Sequence, residues 1–308
     1  MLARWLAVLT FALVPGTIAA QDSAAAPADT AADRMTVEKF EASLGYQTGG
    51  THSLKDGLAT LTLPATFRFL GPEGSKRLLE DGWSNPKGSG DDVLGMLVPS
   101  GLSPMTDSGW AVVITYDEEG YIDDKGAEEI DYAKLLKDMQ ASTEEANKER
   151  AKDGYQPVTL VGWAEQPTYD RAAHKLYWAK ELKFGTNAEH TLNYNVRVLG
   201  RRGVLVLNAV AGMTYLAPIK SSMREVITFV DFNEGHRYTD FIAGKDKVAA
   251  YGIAGLIAGA VATKAGLFKV ILTALIAAKK FLVLGAAAAA AGARKMWAKW
   301  RGNDSAAA

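Results

Sequence analysis

An α+β domain, built on a mainly antiparallel sheet with helices packed on it and followed by a hydrophobic C-terminal helix, is the fold class this sequence predicts. Three observations carry the prediction. Short runs of alternating apolar and polar residues recur, separated by hairpin-type turn residues. One long helical pattern, Asp131–Lys152, stands between two groups of strands rather than alternating with them. The last sixty residues are apolar, Ala- and Gly-rich and basic, unlike the body that precedes them.

Met1–Arg4 carries one positive charge, and Trp5–Val14 is a mostly apolar run of signal-peptide length. Pro15-Gly16 ends it, and Thr17-Ile18-Ala19-Ala20 offers small residues for cleavage, so residues 1–20 are expected to be an export signal. Residues 21–35, rich in Ala, Asp and Pro, have little to bury and are expected to be a disordered leader. A domain is expected over 36–243. It opens with a short helix at Thr36–Leu44, capped by Thr36 and ended by Gly45. Asp56-Gly57 between Thr51–Lys55 and Leu58–Leu63 predicts a two-residue hairpin turn. Further strands are expected at Phe67–Leu70, Val93–Val98, Trp110–Tyr116, Val158–Trp163, Lys175–Leu182, His190–Leu199 and Gly203–Ala211, with helices at Ser75–Glu80 and Pro218–Phe229.

Residues 248–268 are expected to form a transmembrane helix about 32 Å long, against roughly 30 Å of hydrocarbon. Gly255 and Gly259 form a GxxxG pair, the spacing that lets membrane helices touch closely and self-associate. Residues 269–301 carry Lys279-Lys280 near the centre of an apolar run. Two central lysines cost about 5–7 kcal/mol on an insertion scale, more than the large apolar residues there return, so this basic segment is expected to lie in the inner interface, with a second hydrophobic span as the alternative. Residues 302–308 are expected to be a disordered tail.

The chain has 308 residues and no Cys, which excludes a disulfide scaffold and a zinc-thiolate site. Its net charge of −1 conceals an acidic body and a basic tail: residues 248–308 hold eight Lys or Arg and one acid. One span therefore leaves every tail cation on one side, as the positive-inside rule requires. The expected site is a membrane, with the main domain on the exported side and the bilayer as first partner. An acidic exported domain is not expected to bind nucleic acid.

Several stretches resemble a bacterial membrane-anchored family of unknown function, domain-of-unknown-function family 2167. They are Leu61-Thr62-Leu63-Pro64 with Phe67-Arg68-Phe69-Leu70, Leu94-Gly95-Met96-Leu97-Val98-Pro99 and Gly109-Trp110-Ala111-Val112-Val113. Gly162-Trp163-Ala164-Glu165 with Pro167-x-Tyr169-Asp170, Tyr177-Trp178-Ala179-Lys180, Leu192-Asn193-Tyr194-Asn195 and Leu199-Gly200-Arg201-Arg202-Gly203 follow in order. The resemblance implies an exported domain held at a membrane, and no activity or catalytic residue. The strand–helix–strand order also looks like the PsbP-like α/β/α sandwich, an analogy of fold alone.

Chemical motifs are sparse. No P-loop, GxGxxG, GxSxG or HExxH occurs, and His52, His174, His190 and His236 stand at no ligand spacing, so no cofactor and no metal are expected. The acidic stretch from Asp117 to Asp131 lacks the alternation of a calcium loop and reads as a solvated loop and helix start. One constellation stands out. If Lys175–Leu182 pairs with His190–Leu199 so that Lys180 faces Asn193 and Trp178 faces Asn195, then Trp178, Lys180, Asn193, Asn195 and Arg197 share one face. Tyr177, Ala179, Tyr194 and Val196 would face the core. A flat face with an indole, two amides and two cations suits a polar or acidic partner, unless it is simply solvated or covered by the long helix.

A binding role rather than catalysis is thus expected: an envelope domain that engages a protein or small molecule, with self-association through the membrane helix. Two alternatives remain. One is an envelope hydrolase using Glu165, Asp170 and His174 around one turn. The other is a membrane-active oligomer formed by the lysine-bearing C-terminal helices.

Overall fold

The computed structural model describes residues 31–106, 108–152 and 154–259. Its frame is one eight-stranded sheet, antiparallel throughout, in the order β1-β4-β5-β6-β10-β9-β8-β7. The strands are β1 (Gln47–Thr48), β4 (Phe67–Leu70), β5 (Val93–Pro99), β6 (Val112–Asp117), β7 (Val158–Asp170), β8 (Lys175–Phe184), β9 (Thr191–Leu199) and β10 (Val204–Gly212). A second sheet, β11-β3-β2, is made of β2 (Thr51–Leu54), β3 (Ala59–Thr62) and β11 (Val230–Phe232).

Both faces of the large sheet are covered. On one, the small sheet and helix α4 (Leu216–Val226) close a core that includes Ile114, Ala179, Tyr194, Val196, Leu207, Ile219 and Phe232. On the other, two separate covers share the surface. Leu44, Leu78, Leu79 and Trp83 pack over β4 and β5; Leu44 lies in the turn after helix α1 (Ala31–Ala42), and the others follow helix α2 (Pro72–Arg77) in the π-helical turn Leu78–Gly82 and its C-cap. Helices α3 (Tyr132–Lys152) and α5 (Ile253–Ala258) pack over β7 and β8, through Met139, Ile253, Leu256 and Ile257. The expected α+β class with a large antiparallel sheet is therefore the observed one.

Several elements differ from expectation, each for a local reason. Helix α1 begins at Ala31, inside the expected disordered leader, so Thr36 lies within the helix rather than capping it. The Asp56-Gly57 hairpin forms, but Leu54 pairs with Ala59, leaving a four-residue loop in which Lys55, Asp56 and Gly57 all take positive φ. Only Gly does so without steric cost, and Asp tolerates it, which is why this dipeptide marks the turn. Strand β7 runs to Asp170, seven residues past the expected end, because bulges let it follow β8 beyond Gly162. Asp131 caps α3, its Oδ1 accepting from Ala133 N and Lys134 N at 3.0 and 2.9 Å.

The expected transmembrane helix over 248–268 is corrected where it is described. Val248 bridges to Tyr121, the helix there spans only Ile253–Ala258, and Gly259 ends it in the left-handed region with φ of 76°. Ile253, Leu256 and Ile257 are buried against the domain, so their apolar surface is spent on the core rather than offered to lipid. Gly255 and Gly259 are accordingly a position within a short docked helix and its C-terminal cap, not a membrane helix packing pair. No described helix is long and apolar enough to cross a membrane. The expected export signal, and the segments over 260–301 and 302–308, lie outside the described residues.

Candidate functional site

Strand pairing places the predicted constellation together. Lys180 pairs with Asn193 and Trp178 with Asn195, the register expected from the sequence, and Leu176 pairs with Arg197. Paired residues of an antiparallel sheet project to the same face. Trp178, Lys180, Asn193, Asn195 and Arg197 therefore form a polar strip across β8 and β9. Asn208 of β10, paired with Asn195, extends it to a third strand. Asn208 went unselected in the sequence. The signal was there in Leu207-Asn208-Ala209, a single amide inside an otherwise apolar run.

Of the alternatives left open, an open binding face, a solvated face or one covered by the long helix, the last is observed, with α5 sharing the cover. Each of the six residues is 9% exposed or less, and Trp178 packs in the core beneath α3 and α5. The opposite face is buried as well, with Ala179, Tyr194 and Val196 in the core under α4. Alternation in a strand reveals two faces but not whether something covers the polar one.

Within the strip, Arg197 is held by neutral oxygens: its Nη1 donates to Val196 O at 2.9 Å and Asn208 Oδ1 at 3.0 Å, and its Nη2 to Asn195 Oδ1 at 3.4 Å. Its guanidinium lies 5.0 Å from the centre of the Trp178 ring, a cation–π contact. Asn195 Nδ2 donates to both Asn193 O and Asn193 Oδ1 at 3.0 Å. Lys180 has no hydrogen-bond or ion-pair partner among the described residues, and Trp178 Nε1 is buried with no acceptor. Burial, reinforced by the neighbouring Arg197, pushes the Lys180 ammonium down to about 8. Burial also lowers Arg197, to about 10, although Asp117 and Tyr251 act the other way.

The residues of the hydrolase alternative are not gathered. Glu165 belongs to the opposite face, where it accepts from Tyr194 Oη at 2.6 Å, Arg224 Nη2 at 3.0 Å and Lys220 Nζ at 3.0 Å. Burial raises its carboxyl, but those three donors outweigh it and hold the group below its ordinary value. Its work is to fasten α4 to the sheet. Asp170 Oδ1 caps the β7–β8 turn by accepting from Ala172 N and Ala173 N. His174, at φ of 52°, stacks on Tyr238 with ring centres 4.2 Å apart, and its Nδ1 lies 3.4 Å from Tyr169 Oη. Burial lowers the His174 imidazole, against the carboxylates of Asp124 and Asp170. No three His, Asp or Glu side chains among the described residues gather so as to hold a metal ion.

No curated protein matches the chain. Among solved structures, the solution structure of the cyanobacterial PsbP protein (CyanoP) of Synechocystis aligns with 62% of this chain and 94% of its own, at 11% identity and a TM-score of 0.33. A family model described as "Protein of unknown function (DUF2167)" matches residues 46–290, from the first strand of the sheet to well beyond α5. The match covers most of the sequence and all of the strands described above, and the chain belongs to that family.

Proposed function

We propose that this chain is a membrane-tethered binding protein of the bacterial envelope, with its sheet domain outside the cytoplasm and the polar strip as its binding element. The observation that carries the reading is the strip: six polar side chains on three adjacent strands, buried, with a lysine and an indole N–H left without partners. Buried polar groups are ordinarily satisfied, and an orphaned donor such as Trp178 Nε1 is one that a ligand can complete; Tyr46 Oη, Arg68 Nε and Asn85 Oδ1 are orphaned elsewhere. No nucleophile–base pair accompanies them, which favours binding over turnover.

The tether rests on sequence alone. The first twenty residues have the pattern of an export signal, and the residues after Gly259 are apolar with Lys and Arg throughout. Because α5 docks on the domain, the tether in this reading begins after Gly259 rather than at Val248.

Two measurements test the proposal. The chain has no Cys, so Ala188→Cys, on the exposed β8–β9 turn, and Ser305→Cys report without background. Position 188 is expected to react with an impermeant maleimide in intact spheroplasts, and position 305 only after permeabilisation. Protection of position 188 would remove the envelope assignment. For the strip, the purified full chain is denatured and released small molecules are identified by mass spectrometry. A compound retained by the native chain and lost from the Trp178→Phe/Asn195→Ala variant is expected; identical release from both overturns the strip as the binding element.

A further inference from the structure

The strip holds two cations, and no carboxylate among the described residues hydrogen-bonds to either. Lys180 is only 6% exposed and has no partner there at all. Arg150, also buried, rests like Arg197 on a neutral oxygen, that of Gln156, whereas two other cations of the fold meet carboxylates. Lys175, equally buried, reaches Asp231 at 2.7 Å and Ile227 O at 2.8 Å. Arg201 meets both carboxylate oxygens of Asp246, at 2.7 and 3.1 Å. The Lys180 ammonium keeps only a sliver of contact with water; holding it there without a counter-charge is unfavourable, and a second cation beside it adds repulsion. Trp178 Nε1 adds a buried donor with no acceptor. The Asn193 amide nitrogen also donates to none of the described residues, and Asn193 sits directly across from Lys180.

All the unspent groups are donors, and the net charge of the strip's own side chains is positive, with Asp117 acting on Arg197 without bonding to it. We infer that the strip is a site for a small oxyanion, the carboxylate or phosphate group of a soluble ligand. Its oxygens accept from Lys180 Nζ, Trp178 Nε1 and the Asn193 amide, and its charge offsets Lys180 and Arg197. Arg197 is already anchored by three hydrogen bonds, so it supplies fixed charge, while Lys180 supplies the direct contact. This inference rests on the strip being a binding element and is independent of where the protein resides.

The test uses the purified full chain with inorganic phosphate, sulfate and succinate, at constant ionic strength set with sodium chloride. Calorimetric titration and thermal unfolding are both read. One of the oxyanions is expected to bind with 1:1 stoichiometry and to raise the midpoint above the chloride control, the preferred probe separating a phosphate from a carboxylate ligand. Lys180→Met is expected to weaken that binding at least about tenfold while unfolding no earlier than the wild type in chloride. Asn193→Asp places a carboxylate opposite Lys180. It is expected to raise the midpoint in chloride and to lose oxyanion binding to at least the same extent.

No response to any of the three probes, or wild-type affinity in both variants, overturns the inference. Failure of Lys180→Met and Asn193→Asp to fold assigns those side chains a structural role and overturns it equally. A neutral compound released in the mass-spectrometric experiment removes the oxyanion and leaves the binding reading standing.

Discussion

Replacing Lys180 with methionine removes a charge and keeps an unbranched stem of similar length in a buried position. The magnitude follows from the proton affinity of the site. The ammonium drops from 10.5 in water to about 8 in the fold. At 1.36 kcal/mol per unit, carrying the charged form into the folded state at pH 7 costs about 3 kcal/mol. The sign is that of a depressed group. Stability is fully present above the unfolded value of 10.5 and is lost as pH falls through about 8, so the wild type carries the penalty at neutral pH. Lys180→Met should therefore be more stable than the wild type by about 3 kcal/mol at pH 7 when no oxyanion is present. For a domain of this size that is a rise in midpoint of roughly 6–12 °C. Urea denaturation in chloride buffer at pH 7 and at pH 10 measures both terms. The difference between the two proteins should shrink at the higher pH, because the wild-type lysine is then neutral when folded. Destabilisation by Lys180→Met, or a gap that does not change with pH, would refute the reasoning by showing that the ammonium is satisfied in the folded chain.

Glu165→Gln should lower stability by about 1–3 kcal/mol at pH 7, since it removes the charge that accepts from Tyr194, Arg224 and Lys220; denaturant unfolding measures it. Because the Glu165 carboxyl is held below its ordinary value of 4.5, its stabilisation is present above that pH and lost as pH falls further. The acid limb of the wild-type stability curve should thus be shallower in Glu165→Gln. His174, lowered by burial, should cost stability as pH falls below 6.5, where the unfolded chain takes up a proton first; a midpoint-against-pH profile that flattens in His174→Asn checks this. Gly95→Ala should destabilise by about 1–3 kcal/mol in the same urea assay. A Cβ there would lie 2.3 Å from the Phe69 ring, at the irregular register of β5 on β6.

Much of the sheet was legible because strand signals are local. Leu192, Tyr194, Val196 and Val198 alternate with Thr191, Asn193, Asn195 and Arg197, and period-two alternation between turn residues specifies both strand and register. That is why the Lys180–Asn193 and Trp178–Asn195 pairs could be expected from residues alone.

What lies over a strand is not local. Each cover of the strip comes from far along the chain: Met139 on α3, and Ile253, Leu256 and Ile257 on α5. A polar face and a face that will be roofed by a distant helix have the same alternation, so burial of Lys180 was invisible until the layers were assembled. The same reason explains α5. An apolar run beginning at Val248 satisfies a lipid bilayer and a protein core equally well by hydropathy. The tertiary structure decided for the core over Ile253–Ala258, because the domain offered an apolar surface there and Gly259 ends the helix in the left-handed region. The sequence by itself determined most of the strands, one register on which the β8–β9 constellation depends, and the family. The packing of the layers decided that a face suited by its chemistry to a partner is an enclosed one, and so made its unpaired donors meaningful.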